Sequence, residues 1–295
     1  TRIQRVWILF LLSVITCLQV KAQYMPVVFD KVYGDKNQIQ LVCPLPGDEV
    51  ALVGKEGQKY NLTWVEREGD VVFSLPLTGF TAVNEIVELD NSRVLVVGQS
   101  SVPNVKGKKD KITLCGRIVV INRGGRIVTD IYAGDQGSNF LKGMLLRSGA
   151  FVVSGSEPKG ADGRQGILLK LDPTGSVVYQ YKNAGGGYCD QFAVMGNSIE
   201  YICAAFSAGK DKEQALVVRL DDKGKPYYMT TIPAKQFVVT GLNANINDGS
   251  VLVIGNSPTD GGIIYKIRPE GDIVFAKNMI PANQGATMLD HLQVA

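Results

Sequence analysis

The nine residues LDPTGSVVY, Leu171–Tyr179, contain a turn that recurs along the chain. Four other stretches share its pattern: VEREGDVVF (65–73), INRGGRIVT (121–129), LDDKGKPYY (220–228) and IRPEGDIVF (267–275). The fifth residue is glycine in every copy, and glycine supplies the positive φ angle that a tight hairpin needs. Apolar runs flank each copy, so the pattern predicts five two-stranded hairpins.

A second recurring run precedes each hairpin and predicts a buried strand, because it is rich in β-branched residues. These runs end at Gly54, Gly98, Gly155, Ala204 and Gly255. A short turn and a further strand come before each run. Each unit therefore contains four strands, here called a, b, c and d in chain order, with short a–b and c–d turns.

The spacing of the units indicates the fold class. The turn glycines lie 56, 50, 49 and 47 residues apart, which is the size of a four-stranded antiparallel blade in a β-propeller. The period-2 pattern excludes a solenoid of helix pairs, and a β-sandwich would not repeat one four-strand order five times. We predict an all-β propeller with five complete units, at about 37–79, 80–137, 138–187, 188–235 and 236–284.

The two ends of the chain resemble parts of a blade. Residues 24–33 include VVFDKV, which matches strand d. As an outer strand, this segment would complete the last blade of the ring and close it by backbone hydrogen bonds; the alternative is an ordinary first strand. Residues 285–295 resemble the start of another strand a. We therefore expect the propeller domain, 23–295, to be truncated at its C-terminus and the intact protein to have six or seven blades.

Residues 1–22 have the three parts of a secretory signal peptide. Arg2 and Arg5 precede an apolar run over 6–18, and small residues precede the expected cleavage before Gln23. A lipoprotein signal with Cys17 acylated is the alternative. No segment in the rest of the chain approaches 18 consecutive apolar residues, so we expect no transmembrane segment in the mature chain and a secreted, periplasmic or outer-surface location.

The charge balance argues against nucleic acid as a partner. The leader contains three of the 31 basic residues and none of the 28 acidic ones, so the mature chain is neutral. A neutral chain lacks the basic footprint that nucleic-acid binding requires.

Two stretches carry a family resemblance. GILLKLDPTGSVVYQY (166–181) and ALVVRLDDKGKPYYM (215–229) resemble the β-propeller repeats of exported proteins from Bacteroidetes-type bacteria. The cleavage boundary of the leader, which reads KA followed by Gln23, also resembles that of such proteins. The resemblance implies a scaffold that serves many purposes and does not imply one activity.

The side chains that common catalytic sites need are scarce. The only histidine is His291, which argues against a Ser-His-Asp or Cys-His nucleophile and against a zinc site. Asp172 and Asp221 occupy the same turn position in successive units, which is typical of hairpin-turn chemistry. We therefore predict no catalytic residue, no metal and no cofactor.

The b–c and d–a loops share one face of the predicted ring, and function concentrates on variable loops of a rigid scaffold. Three successive b–c loops, at 99–111, 156–165 and 206–214, are rich in basic side chains. The candidate binding residues are Lys106, Lys108, Lys109, Lys159, Arg164, Lys210 and Lys212. One interpretation is a mildly basic rim that meets an acidic glycan, a phosphate-bearing surface or a protein. The other is solvated loop charge.

Cys189 and Cys203 lie on strands a and b of the fourth unit, almost symmetric about residues 196–197. This placement predicts either a cross-strand disulfide, which needs close Cα atoms and side chains on one face, or two buried thiols.

Together these features predict an exported, non-catalytic binding or interaction scaffold, with a cell-surface adhesin as one form and a protein or glycan at the cell surface as partner. The alternatives are a carbohydrate-active hydrolase or lyase on a propeller, and a structural component of the cell envelope.

Overall fold

The computed structural model describes residues 38–90, 92–102, 113–160, 163–183, 188–195, 201–207, 214–245 and 248–280. The regular structure in these residues consists of strands, which form five antiparallel sheets of four strands each. Within every sheet the spatial order of the strands is their order in the chain.

The strand bounds are as follows. The first sheet contains β1 (Gln38–Leu45), β2 (Glu49–Glu56), β3 (Lys59–Val65) and β4 (Val71–Pro76). The second contains β5 (Phe80–Asp90), β6 (Arg93–Val102), β7 (Thr113–Asn122) and β8 (Ile127–Ala133). The third contains β9 (Asn139–Leu145), β10 (Phe151–Lys159), β11 (Gly163–Leu171) and β12 (Val177–Asn183). The fourth contains β13 (Cys189–Met195), β14 (Tyr201–Phe206), β15 (Gln214–Leu220) and β16 (Pro226–Lys235). The fifth contains β17 (Val238–Ala244), β18 (Val251–Ser257), β19 (Gly261–Ile267) and β20 (Ile273–Ile280).

Neighbouring sheets meet through their first strands. β1 contacts β5, β5 contacts β9, β9 contacts β13, and β13 contacts β17. Strand a is therefore the inner strand of each blade, and strand d is the outer strand. The fold is a β-propeller, as the sequence predicted.

A separate hydrophobic core lies between each pair of consecutive sheets. On strand β6, Val94 and Val96 pack against the first sheet, whereas Leu95 and Val97 pack against the third. The b strands are buried on both faces for this reason. This explains why they read as unbroken apolar runs and not as alternating ones.

The c–d hairpins have the turn that the sequence predicted. In the third sheet, Gly175 N donates to Asp172 O (2.9 Å) and Asp172 N donates to Ser176 O (2.9 Å). Asp172 Oδ1 accepts from the backbone N of Thr174 and Ser176 (2.8 and 2.9 Å), so this carboxylate shapes the turn. The turn glycines all have positive φ: Gly69, Gly125, Gly175, Gly224 and Gly271.

In the first four sheets, a side chain of the outer strand lies against the c–d turn glycine of the next sheet, a packing that we call the turn contact. A Cβ atom on Gly224 would lie 2.5 Å from Cγ of Tyr179, and one on Gly271 would lie 2.8 Å from Cγ of Tyr228. Tyr179 and Tyr228 are the third residues of their strands. The four pairs are Phe73–Gly125, Ile131–Gly175, Tyr179–Gly224 and Tyr228–Gly271. These glycines are thus required both for their backbone angle and for the space beside them.

The repeat alignment was wrong at one position of the fourth unit. Each inner strand has a bulge, which lies opposite Gly155 and Ser154 in the third sheet and opposite Phe206 and Ala205 in the fourth. Phe206, and not Ala204, is therefore the equivalent of Gly155. Its ring packs at Gly166 of the third sheet, where a Cβ atom would lie 2.5 Å from it, so the absence of a side chain on Gly166 accommodates the larger residue.

A polar pair links the inner strands of the second and third sheets. Lys142 Nζ lies 3.0 Å from Glu85 Oε1, and Gly143 N donates to Glu85 Oε2 (2.7 Å). Burial raises the pKa of Glu85, and Lys142 and the Gly143 amide oppose that shift. The carboxylate thus stabilises a backbone amide at the inner edge of the neighbouring sheet.

Candidate functional site

The b–c and d–a connections form one face of the propeller, which we call the loop face. The d–a connections between described strands are two to five residues long. The shortest is 236–237, and the longest are 134–138 and 184–188. The b–c connections range more widely, from 57–58 in the first sheet to 103–112 in the second. The variation in length therefore lies mostly in the b–c connections, on a face whose d–a connections are short.

The candidate loop at 156–165 is mostly strand, which corrects the sequence interpretation. Lys159 belongs to β10 and Arg164 to β11, and the ladder pairs Pro158 with Arg164 and Lys159 with Gly163. Charged side chains are tolerated at the exposed end of a hairpin, so their presence did not end the strands. The b–c connection of this blade is reduced to 160–162.

Arg164 holds a neighbouring connection in place. Its Nε donates to Ser156 Oγ (2.9 Å), and its Nη2 donates to Ser156 O (3.0 Å) and Gly137 O (3.2 Å). Gln99 of the second sheet approaches the same connection and donates to Ser138 O (3.1 Å). The 134–138 connection is therefore bonded by side chains of both adjoining sheets.

Arg117 holds the connection between the first and second sheets. Its Nη1 donates to Thr78 O (2.6 Å), while Nε and Nη2 donate to the two carboxylate oxygens of Asp130 (2.8 Å each). The guanidinium carbon lies 4.8 Å from the Phe80 ring centre and 4.9 Å from that of Tyr132. The side chain is only 8% exposed, so this network is an internal support for the loop face.

A buried carboxylate lies beneath the loop face of the third sheet. Glu157 is 1% exposed, and its Oε1 accepts from Gln165 Nε2 (2.7 Å) and Lys182 Nζ (2.5 Å). Lys182 also bonds Asp135 (2.9 Å). The hydrogen bond to Asp135 is the largest cause of a raised pKa of Lys182, and the hydrogen bond to Glu157 is the second largest. Lys182 therefore joins β12 to the connection from the second sheet.

Two clefts open on the loop face at equivalent positions of two blades. The first, of about 500 Å³, lies at the fourth sheet, where strand c begins and strand d ends. The second, of about 350 Å³, lies at the corresponding ends of strands c and d in the first sheet. The first is lined by Asn183, Gln214, Ala215, Leu216, Thr231, Pro233 and Lys235. The lining of the second includes Gln58, Lys59, Tyr60, Asn61, Thr78 and Phe80.

The clefts combine amide, hydroxyl and amine groups with apolar walls. Such a lining can both hydrogen-bond a ligand and exclude water from it. Among the described residues, no group of three or more His, Cys, Asp or Glu side chains is placed to hold a metal ion. None of the described segments forms a helix of the length and apolarity needed to cross a bilayer.

Some predicted site residues cannot be placed. Lys106, Lys108, Lys109, Lys210 and Lys212 lie outside the described residues, as does the VVFDKV segment. Lys159 is half-buried at the end of β10, and Arg164 makes the internal bonds given above. Apart from Gln214, which ends the predicted 206–214 loop, the lining residues of the two clefts were not anticipated, because they occupy strand ends and short connections and not the long loops. Their only sequence signal is their position beside the b–c and d–a connections.

Cys189 and Cys203 of the fourth sheet are not joined by a disulfide in the structure. Cys203 pairs in register with Ala193, and Cys189 pairs with Phe206, so the two sulfurs are not cross-strand neighbours. The bulge between Cys189 and Gln191 breaks the symmetry on which the disulfide prediction rested. Cys203 is completely buried, which raises its pKa to about 12, and Cys43 and Cys115 are buried free thiols as well.

Comparison with known proteins gives similarity of fold. No protein-family model and no curated protein matches the chain. A solved eukaryotic initiation factor is 13% identical with a TM-score of 0.51, over 84% of this chain and 56% of that one. A protein of unknown function from Bacteroides caccae is 13% identical with a TM-score of 0.48, over 85% of each chain. The WD40 domain of Neurospora crassa Pan2 is 12% identical with a TM-score of 0.48, over 78% of this chain and 61% of that one. At such identities the likeness concerns architecture and not activity.

Proposed function

We propose that this protein is an exported, non-catalytic binding scaffold whose loop face binds a protein or glycan at the cell surface. The observation that carries the proposal is the pair of clefts at equivalent positions of the first and fourth blades. Both clefts open where the b–c connections vary in length. The arrangement is that of a rigid support with a variable recognition surface.

The supports of the loop face favour binding without large rearrangement. Arg117, Arg164 and Gln99 each donate hydrogen bonds to backbone carbonyls of d–a connections, and Ser257 Oγ donates to Lys235 O (2.8 Å) beside the larger cleft. Connections that are held in place before binding lose less conformational entropy when a partner arrives. The signal-peptide pattern at 1–22 is the basis for proposing export, and a cell-surface adhesin is one form of the proposal.

Purified full-length protein, incubated with an envelope fraction of the source organism, is expected to bind it saturably. A parallel panel of glycosidase, polysaccharide lyase, esterase and peptidase substrates is expected to show no turnover. Turnover that is abolished by replacing a loop-face carboxylate would replace the proposal with the carbohydrate-active or hydrolytic alternative.

The lysine-rich b–c connection of the second sheet provides a prediction about charge. Replacing Lys106, Lys108 and Lys109 together with glutamate is expected to weaken envelope binding by about tenfold or more at low salt, and by less at high salt, because exposed charges are screened. The melting temperature should change little. The matched control replaces Lys223 and Lys225, two exposed lysines of a c–d turn on the opposite face, and should leave binding unchanged. Equal binding by both variants would indicate that these lysines are solvated loop charges and do not contact the partner.

A further inference from the structure

The two clefts of the loop face present the same set of functional groups. Each lining contains one lysine, one glutamine, one asparagine, one threonine and one proline. The lysine is Lys235 in the first cleft and Lys59 in the second, and both side chains are exposed. A ligand in either cleft therefore meets one ammonium group, two amides and one hydroxyl.

The two sets are alike in chemistry and not in sequence. Aligning the c–d turn glycines of the first and fourth sheets places Thr78 at the position of Pro233, and Pro76 at the position of Thr231. The hydroxyl and the proline have thus exchanged places, while each cleft keeps one of each. A repeat that was merely copied would keep each residue type at its own position. The likeness therefore favours two sites that bind the same ligand.

The clefts differ in size because of one equivalent position. The same alignment places Tyr60 at the position of Ala215. Each is the second residue of its strand c, and they are 6% and 0% exposed. The larger tyrosine accounts for a second cleft of about 350 Å³ beside a first of about 500 Å³. Both volumes suit a group of small-ligand size.

A proline in the outer strand of each cleft disfavours an extended peptide as the ligand. Such a peptide adds to the edge of a sheet through backbone hydrogen bonds. Pro76 is the last residue of β4 and Pro233 lies in β16, and neither has a backbone N–H to donate. Proline on an edge strand therefore hinders this pairing. The side chains of the clefts, and not the strand edges, are the groups that a ligand would meet.

Sugar units match these side chains. Amide and hydroxyl groups each donate and accept hydrogen bonds, as do the hydroxyls around a sugar ring, and the C–H faces of the ring suit the apolar walls formed by Leu216 and Tyr60. We propose that each cleft binds a unit of one repeating polysaccharide, so that the loop face is bivalent. This inference rests on the proposed function and selects a glycan over a protein as the partner.

Bivalent binding follows from the repeating nature of the ligand. A polysaccharide presents the same group many times along one chain, so two like sites on one rigid support can hold a single molecule. The second attachment is then intramolecular, and the affinity for the polymer should exceed that of one cleft for a short fragment by roughly 100-fold or more.

Periodate treatment of the envelope fraction tests the class of the ligand, since periodate opens sugar rings between adjacent hydroxyls. The full-length protein is expected to bind the oxidised fraction about tenfold or more weakly than a mock-treated one, because the amides lose their hydroxyl partners. Unchanged binding to the oxidised fraction would overturn the glycan inference and leave the proposed function in place. Absence of binding to the mock-treated fraction would contradict both.

Fragment stoichiometry tests the bivalence. The probe is polysaccharide released from the same fraction, whole or cut to short fragments by partial acid hydrolysis. By calorimetry, the wild type is expected to bind two fragments. Thr231→Trp and Thr78→Trp, which fill one cleft each from exposed positions, should bind one. Each should also bind the whole polysaccharide about tenfold or more weakly, because the second attachment is lost.

The control for these variants is Lys225→Trp, an exposed position on the opposite face, which should still bind two fragments. If a tryptophan variant does not fold, Lys235→Met or Lys59→Met replaces it and should weaken fragment binding at the altered cleft alone. Fewer than two fragments per wild-type molecule, or a single-cleft variant that loses all fragment binding, would overturn the inference that both clefts take the same ligand.

Discussion

Replacing Gly224 with alanine is expected to lower the free energy of unfolding by about 2–5 kcal/mol. Its φ of 79° costs an L-residue about 1–2 kcal/mol. The added Cβ would also lie 2.5 Å from the ring of Tyr179, which is only 9% exposed and has little room to move; overpacking of this kind costs about 1–3 kcal/mol. Chemical denaturation monitored by fluorescence measures the change.

Gly57→Ala is the matched control for Gly224→Ala. Gly57 also has positive φ, at 59°, but a Cβ atom there would have no neighbour within 4 Å. We expect only the backbone cost of about 1–2 kcal/mol. Equal losses in the two variants would mean that the turn contact contributes nothing and that the glycines are needed for φ alone.

Replacing Arg117 with methionine is expected to cost about 2–4 kcal/mol of stability. Methionine keeps much of the apolar volume but leaves Thr78 O and the Asp130 carboxylate without their donor. Breaking a fully buried pair costs about 3–5 kcal/mol; the Asp130 side chain is 35% exposed, so water recovers part of that loss. Hydrogen exchange should also accelerate in the 77–79 connection, which Arg117 holds.

Arg123→Met provides the control for the loss of an arginine. Arg123 pairs with Glu49 across the first and second sheets, but its side chain is 48% exposed. Exposed ion pairs contribute little to stability because solvent screens them, so we expect a small change in the free energy of unfolding and unaltered exchange at 77–79. A loss as large as that of Arg117→Met would show that charge at the sheet interface, and not the buried network, stabilises the connection.

The repeated turn made the architecture predictable, because glycine at a fixed position reports directly on backbone geometry. The position of LDPTG and its equivalents was enough to give the c–d hairpins, and the b runs gave the buried strands. The turn contacts were not predictable from single units, because Tyr179 and Gly224 belong to different blades and are 45 residues apart.

The candidate site was harder to predict than the fold. The charge of Arg164 suggested a partner-facing side chain, whereas its hydrogen bonds are internal. An arginine has the same appearance in sequence whether it faces solvent or bonds a carbonyl of the next blade. The cleft residues Gln214 and Thr231 come together only because the start of strand c and the end of strand d lie at one face. That placement depends on register, which no local pattern fixes at strand ends.

Filling the larger cleft of the loop face shows whether that face binds the partner. Thr231 is an exposed lining residue of the cleft, and Thr231→Trp places an indole in that space. Lys225→Trp puts the same side chain at an exposed position of the same blade on the opposite face. We predict that Thr231→Trp weakens envelope binding at least tenfold while Lys225→Trp binds like the wild type, with both variants folded. Wild-type binding by Thr231→Trp, or a loss confined to Lys225→Trp, would show that this cleft is not where the partner binds.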